Sequence, residues 1–132
     1  MIYCLDTNIV VDIFRGDKEL LVKLEEAAKE KKQFCISFLT LAELFKGAYL
    51  SLRYEEARAL IENFIKNIEL LNLNKEACRI YGEKFSELKK LGKQTEEMDL
   101  LIAAVVLSFD AVLITKNKKH FENISNLKVI NW

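Results

Sequence analysis

The sequence has no proline, one histidine, three cysteines and no excess charge of either sign. Each shortage excludes something. Lys plus Arg equals Asp plus Glu at 20 each, so the molecule as a whole is not a basic clamp for nucleic acid. A polyanionic partner would have to be held by local patches or through metal ions. The longest apolar run falls far short of the roughly 18 residues that suggest a membrane span, and no charged segment precedes a signal-type core at the N-terminus. The expectation is a soluble, cytoplasmic protein without membrane association. Cys4, Cys35 and Cys78 are odd in number, lie in apolar surroundings and lack paired spacing, which predicts reduced core thiols rather than disulfides or a zinc site. His120 has no second histidine or cysteine cluster to work with, so a surface or packing role is expected for it. The missing proline, with Lys and Glu dominating the charged residues, is compatible with a thermophile. No repeat, low-complexity tract or linker interrupts the chain. What remains is 132 residues, 51% of them hydrophobic, enough for one domain spanning 1–132 with its own core.

The first eight residues organise the rest. Ile2 to Leu5 is a short apolar run of the kind that forms a strand buried on both faces, and it stops at Asp6-Thr7-Asn8. Thr7 or Asn8 is expected to cap a helix carrying Ile9, Val10, Ile13 and Phe14, with Gly16 just past its end. Asp6 is thereby placed at the carboxyl end of a buried strand, where open parallel sheets bind ligands. Lys18 to Lys32 reads as an amphipathic helix and Gln33 to Ser37 as a second strand, parallel to the first. Ser37 then caps a helix from Phe38 to about Leu52, so apolar that burial on most sides is predicted. A helix from Tyr54 to Asn67 and a strand from Ile68 to Leu73 follow. The next helix, Lys75 to Leu91, carries Ala77, Ile80, Tyr81, Phe85 and Leu88 on one side and is stopped by Gly92. Thr95 is the expected cap of a further helix whose first turn holds Asp99 and whose Leu100 to Leu107 stretch is apolar all round, placing it centrally. Ala111 to Thr115 and Leu127 to Ile130 supply the last strands. The fold class is α/β, a mostly parallel sheet flanked by helices.

Glu43 stands in the middle of the most apolar amphiphile of the set. A carboxylate there costs several kcal/mol unless something pairs with it. An ion pair with Lys46 is the plain explanation; a metal ion or a functional site is the favoured one. Asp99 has two readings, a first-turn charge favoured by the helix dipole or a site residue. On the α/β sketch, Asp6 and Asn117 come from the carboxyl ends of two strands, and Glu43 and Asp99 from helices bordering the same crevice. At about 5 Å and an effective dielectric of about 20, each pair of carboxylates repels by roughly 3 kcal/mol. A divalent cation resolves that conflict. Ligands that are all oxygen suit Mg2+ or Mn2+, which keep several waters, and such a site permits metal-assisted attack of water on a phosphodiester without a protein nucleophile.

These residues also carry a resemblance. Leu5-Asp6-Thr7-Asn8 with Arg15-Gly16, Ser37 with Thr40, Glu43-Leu44 and Gly47, Asp99-Leu100-Leu101-Ile102-Ala103-Ala104, and Leu113-Ile114-Thr115-Lys116-Asn117 followed by Phe121 resemble the PIN-domain ribonucleases. The length and the order of elements resemble the VapC toxins of type II toxin–antitoxin systems. The resemblance covers essentially the whole chain. It implies a PIN-like three-layer α/β/α fold and a Mg2+- or Mn2+-dependent endoribonuclease leaving 5′-phosphate and 3′-hydroxyl ends. Asp6, Glu43 and Asp99 match the family's catalytic, metal-binding acids. Thr7 and Thr115 match hydroxyls that orient them, and Asn8 the asparagine that organises the turn after the first strand. Asn117 stands where many members have a fourth aspartate, which puts a second metal ion in question. Arg15 and Lys116, with Lys118 and Lys119, are candidate contacts to substrate phosphates, and Lys89, Lys90 and Lys93 are expected to approach Asp99 from the other side. The resemblance further implies a tRNA or ribosomal RNA substrate, a VapB-like antitoxin and a homodimer, with Tyr49, Leu50, Leu52 and Tyr54 either a partner surface or core.

Competing readings separate on single residues. A phosphotransfer enzyme with an Asp nucleophile after its first strand needs a second acid two residues on, where this chain has Asn8. A receiver-type phosphoacceptor needs an Asp after its third strand, where Asn72 and Asn74 stand. Two readings within the same fold remain: a module that binds RNA or an antitoxin without cutting, marked by Asn117, and a housekeeping RNA-processing nuclease.

Overall fold

The computed structural model describes all residues, 1–132. The chain runs β1 (Ile2–Leu5), α1 (Thr7–Phe14), α2 (Lys18–Lys29), β2 (Gln33–Ser37), α3 (Phe38–Leu50), α4 (Tyr54–Ile65), β3 (Glu69–Leu71), α5 (Lys75–Lys90), α6 (Glu97–Ser108), β4 (Val112–Thr115), a 3-10 turn (Lys118–Phe121) and β5 (Val129–Asn131). The five strands make one sheet in the order β3-β2-β1-β4-β5, and every pairing is parallel.

Strand alternation divides the core between the two faces of this sheet. Cys4, Cys35 and Leu113 face α5 and α6, in a cluster with Ala77, Leu88 and Ile102. Their neighbours Leu5, Ile36 and Ile114 face α1 to α4, with Ile9, Val10, Leu44 and Ile61. The result is three layers, α/β/α. As expected from its uniform apolarity, α6 is central, with Leu100 and Ile102 to Val106 all buried. Gly16 and Gly92 end α1 and α5 at φ +79° and +66°, conformations that cost an L side chain energy and glycine little.

Several expectations are corrected by the structure. The cap of α1 is Asp6, whose carboxylate accepts the Thr7 N–H at 2.8 Å, rather than Thr7 or Asn8. Glu96, not Thr95, precedes α6, and no side chain caps that helix. The helix α3 is not buried on most sides: Phe38, Tyr49 and Leu50 are exposed, because its apolar residues outnumber those its neighbours can cover. On α5 the buried line is Ala77, Ile80, Lys84 and Leu88, while Phe85 faces solvent. Lys84 takes the i+4 position between Ile80 and Leu88, and its ammonium donates to Ser125 Oγ at 2.8 Å. Cys4 and Cys35 are buried free thiols, but Cys78 is exposed. No helix is long and apolar enough to cross a membrane.

Candidate active site

The sheet order places a switch point between β1 and β4: the chain moves outward from β1 through β2 to β3, then restarts at β4 and moves outward the other way to β5. Crevices at such points, beyond the carboxyl ends of the strands, are where open α/β sheets bind ligands. Here the crevice is a cleft of about 380 Å3. Asp6, Asp12, Glu43, Glu96 and Asp99 bring acids to it, Asn8 and Asn117 bring amides, and Arg15 and His120 stand on its walls.

Each acid is held by identifiable neighbours. Asp6 follows directly on β1, its N–H bonded to Ile114 O of β4 at 2.8 Å, and its side chain is buried. Thr115, the last residue of β4, donates its hydroxyl to Asp6 Oδ2 at 2.7 Å and accepts the Asn117 N–H at 3.0 Å. One threonine thus locks Asp6 and shapes the turn that carries Asn117. Across the cleft, Thr7 donates to Glu43 Oε1 at 2.6 Å and stands 3.2 Å from Thr40 Oγ1. Thr40 in turn has its N–H on Ser37 Oγ, the cap of α3, at 3.0 Å. Glu43 is therefore oriented by a hydroxyl from α1 and makes no ion pair with Lys46. Asn8 also lines the cleft, and its Oδ1 is a buried acceptor without a protein donor.

The electrostatics reflect crowding. Burial raises the Asp6 carboxyl above its ordinary value, against the opposing pull of the Thr115 and Thr7 hydrogen bonds and of His120. Asp99 is pushed up to about 6, first by burial and then by the charges of Asp6, Glu96 and Glu43, with His120 acting in the opposite direction. Desolvation and like charge both disfavour the ionised form, and a cation would reverse both effects.

The donors fit a hard divalent cation: carboxylates and an orphaned amide oxygen predominate, with no thiolate, although the set is not all oxygen as expected, since the His120 imidazole also lines the cleft. No three acidic, histidine or cysteine side chains are already closed to the spacing of a direct chelate. Water-mediated ligation, usual for Mg2+, suits that looser spacing. Asp6, Glu43 and Asp99 are the acids of the cleft that would hold such an ion.

Three placements differ from the simplest reading of the sequence. Lys116 is engaged by Asp12 of α1 and by Asp17, the latter at 3.2 Å, so its charge is already spent beside the cleft. Lys89 and Lys93 line a separate depression with Leu88 and Leu100 rather than the acidic cleft. His120, read from the sequence as a packing or surface residue, sits on the cleft wall with Nδ1 3.4 Å from Asp99 Oδ2. No local pattern marks it in the sequence; the 3-10 turn that follows β4 carries it to the cleft.

Comparison with known proteins identifies the family to which the chain belongs. Residues 3–127 match the PIN domain family. The chain is 36% identical to Ribonuclease VapC1 of Haemophilus influenzae, over 100% of this chain and 98% of that protein. It is a PIN-domain protein of the VapC family. A second VapC relative, the tRNA(fMet)-specific endonuclease VapC of Salmonella typhimurium, is 31% identical over 98% of this chain and 97% of its own. Among solved structures, VapBC2 of Rickettsia felis bound to a DNA fragment from its promoter superposes with a TM-score of 0.93 at 34% identity, covering 100% of this chain and 99% of that one. The VapC fold accounts for the parallel five-stranded sheet and its three layers.

Proposed function

We propose that this VapC-family protein is a Mg2+- or Mn2+-dependent endoribonuclease, the toxin of a toxin–antitoxin pair, acting in the cytoplasm as a single domain over residues 1–132. The observation that carries the proposal is the convergence of Asp6, Glu43 and Asp99 on one cleft at the sheet's switch point, with hydroxyls of Thr115 and Thr7 fixing two of them. When bound there, the cation would lower the pKa of a water and offset charge on the phosphate under attack. The protein's own part is orientation. Asp6 is held at both oxygens, by the Thr7 N–H and by the Thr115 hydroxyl. Glu43 is fixed by Thr7 on the facing wall. Asp99, whose carboxyl is raised to about 6 by burial and by its acidic neighbours, would be held in its ionised form by a bound cation. Asn8 offers its unpaired Oδ1, and Asn117 an amide, to the ion's waters or the substrate. No side chain need act as a nucleophile.

A tRNA substrate is proposed from the tRNA(fMet)-specific relative, with ribosomal RNA the alternative that the family resemblance implies. A VapB-like antitoxin is supported by an apolar groove of about 510 Å3 that adjoins the acidic cleft and shares Val11, Arg15 and Glu43 with it. An antitoxin segment seated on Phe14, Leu44 and Ile61 would lie within reach of the acids. The exposed Tyr49, Leu50 and Leu52, with Tyr49 stacked on Tyr54 at 6.2 Å, support a homodimer.

The test is incubation of purified protein with a structured RNA pool in Mn2+, in EDTA, and with Asp6→Asn. Cuts bearing 5′-phosphates that need the metal and vanish in the variant are expected. RNA bound but never cut under any condition would replace this proposal with a binding module.

A further inference from the structure

Resting on the nuclease reading, we propose that the 3-10 turn Lys118–Phe121 is a track for the RNA backbone on one side of the acidic cleft, with Lys118 and Lys119 as its phosphate contacts. The turn follows β4 directly. Asn117 and His120 each line two hollows at once: the acidic cleft and a neighbouring one of about 580 Å3. That second hollow has no hydrophobic residue in its wall; Lys116, Lys118 and Lys119 bring positive charge to it and Glu122 negative.

The lysines are not equivalent. Lys116 is bound by Asp12 and Asp17. Lys118 and Lys119 are exposed, and neither has a carboxylate within ion-pair distance. His120 turns Nδ1 to Asp99, and its Nε2 has no protein partner. A strand lying over this turn would pass from two free ammonium groups, across the imidazole and the Asn117 amide, into the acids. An apolar protein anchor finds nothing to bury here, whereas a polyanion finds uncommitted charge in a chain whose net charge is zero. The position matters for chemistry as well: phosphates next to the one being cut are repelled by the acids, and two lysines one turn away offset that repulsion where the strand leaves the cleft.

The test uses the full chain carrying Asp6→Asn, so that RNA is not consumed, and a fluorescently labelled single-stranded RNA of mixed sequence. Its dissociation constant is followed against salt concentration. Replacing both Lys118 and Lys119 with Ala should reduce the slope of log K against log salt by about 1.4, since each single-strand phosphate contact contributes about 0.7. Substituting Lys89 and Lys93 instead should leave the slope unchanged. In the active protein, the Lys118/Lys119 double substitution should raise KM with kcat within about twofold and with the same metal requirement. An unchanged slope in a protein that still binds and cuts RNA overturns the track and leaves the nuclease standing. Lost affinity for an antitoxin peptide with unaltered RNA binding would reassign the turn to a protein partner and also overturn it. A protein that neither binds nor cuts RNA refutes both readings.

Discussion

At the residue scale the decisive group is Asp99. Its folded pKa of about 6 lies above the ordinary value of 3.8, so the folded metal-free protein binds this proton more tightly than the unfolded chain. The associated stability is fully present below about pH 4 and is lost as pH rises through 6. Such a shift is worth on the order of 3 kcal/mol, with the side chain only 16% exposed. In EDTA, Asp99→Asn should therefore be more stable than the parent at neutral pH, by up to about 3 kcal/mol, and nearly equal to it near pH 4. Urea midpoints of both proteins across that range measure this. The same substitution should blunt the rise in melting temperature given by saturating Mn2+, which at about 100 times the dissociation constant adds roughly 2.7 kcal/mol in the parent. A variant with the parent's pH slope would remove Asp99 from the strained cluster. Asp6, Glu43 and Asp99 were legible in the sequence because each interrupts or borders an apolar stretch that has no other use for a charge. His120 was not, since nothing local marks it: its role comes from the turn after β4, which folds it back over Asp99.

At the scale of elements, the sequence was most informative where apolar pattern and burial coincide. The helix α6 is apolar all round and lies at the centre; β1 and β4 are short, apolar and interior. It misled where tertiary neighbours decide which face is covered. On α5 the apolar stripe ran through Phe85, yet the loop after the 3-10 turn covers Lys84 instead, offering Ser125 Oγ at 2.8 Å, while Glu87, one turn on along α5 itself, stands at 3.5 Å. Ser125 itself donates to Glu87 Oε2 at 2.9 Å, closing a clasp between α5 and the segment that carries Phe121 and Ile124. Much of what Lys84 contributes is its buried alkyl stem. Lys84→Ala should cost about 2 kcal/mol in urea denaturation, whereas Lys84→Met, which refills the volume, should stay within about 1 kcal/mol of the parent. Equal losses in both would assign the stability to the charge. The helix α3 erred in the other direction, because a sequence shows how apolar a helix is and not how many neighbours will be present to cover it.

At the scale of the whole molecule, a chain of zero net charge concentrates negative charge at one end of its sheet and leaves Lys118 and Lys119 uncommitted at the border. The three-layer α/β/α arrangement was expected and is observed, with an entirely parallel sheet where a mostly parallel one was foreseen. Topology explains the agreement. Once β1 is interior and followed by an acid, parallel crossovers in both directions place the ends of β1 and β4 side by side, and Asp6 and Thr115 meet although 109 residues separate them. The ligation state was beyond sequence reasoning, because carboxylate spacing depends on side-chain orientation and on the ion itself. The central claim, that Asp6, Glu43 and Asp99 form one metal site that drives RNA cleavage, is tested most directly by counting bound Mn2+ by electron paramagnetic resonance while following RNA cutting in the same samples, for the parent and for Asp6→Asn, Glu43→Gln and Asp99→Asn. The account predicts that bound metal and cleavage fall together in all three variants. Cleavage that persists in EDTA, or that is lost in the variants while Mn2+ binding stays at the parent's level, would contradict it.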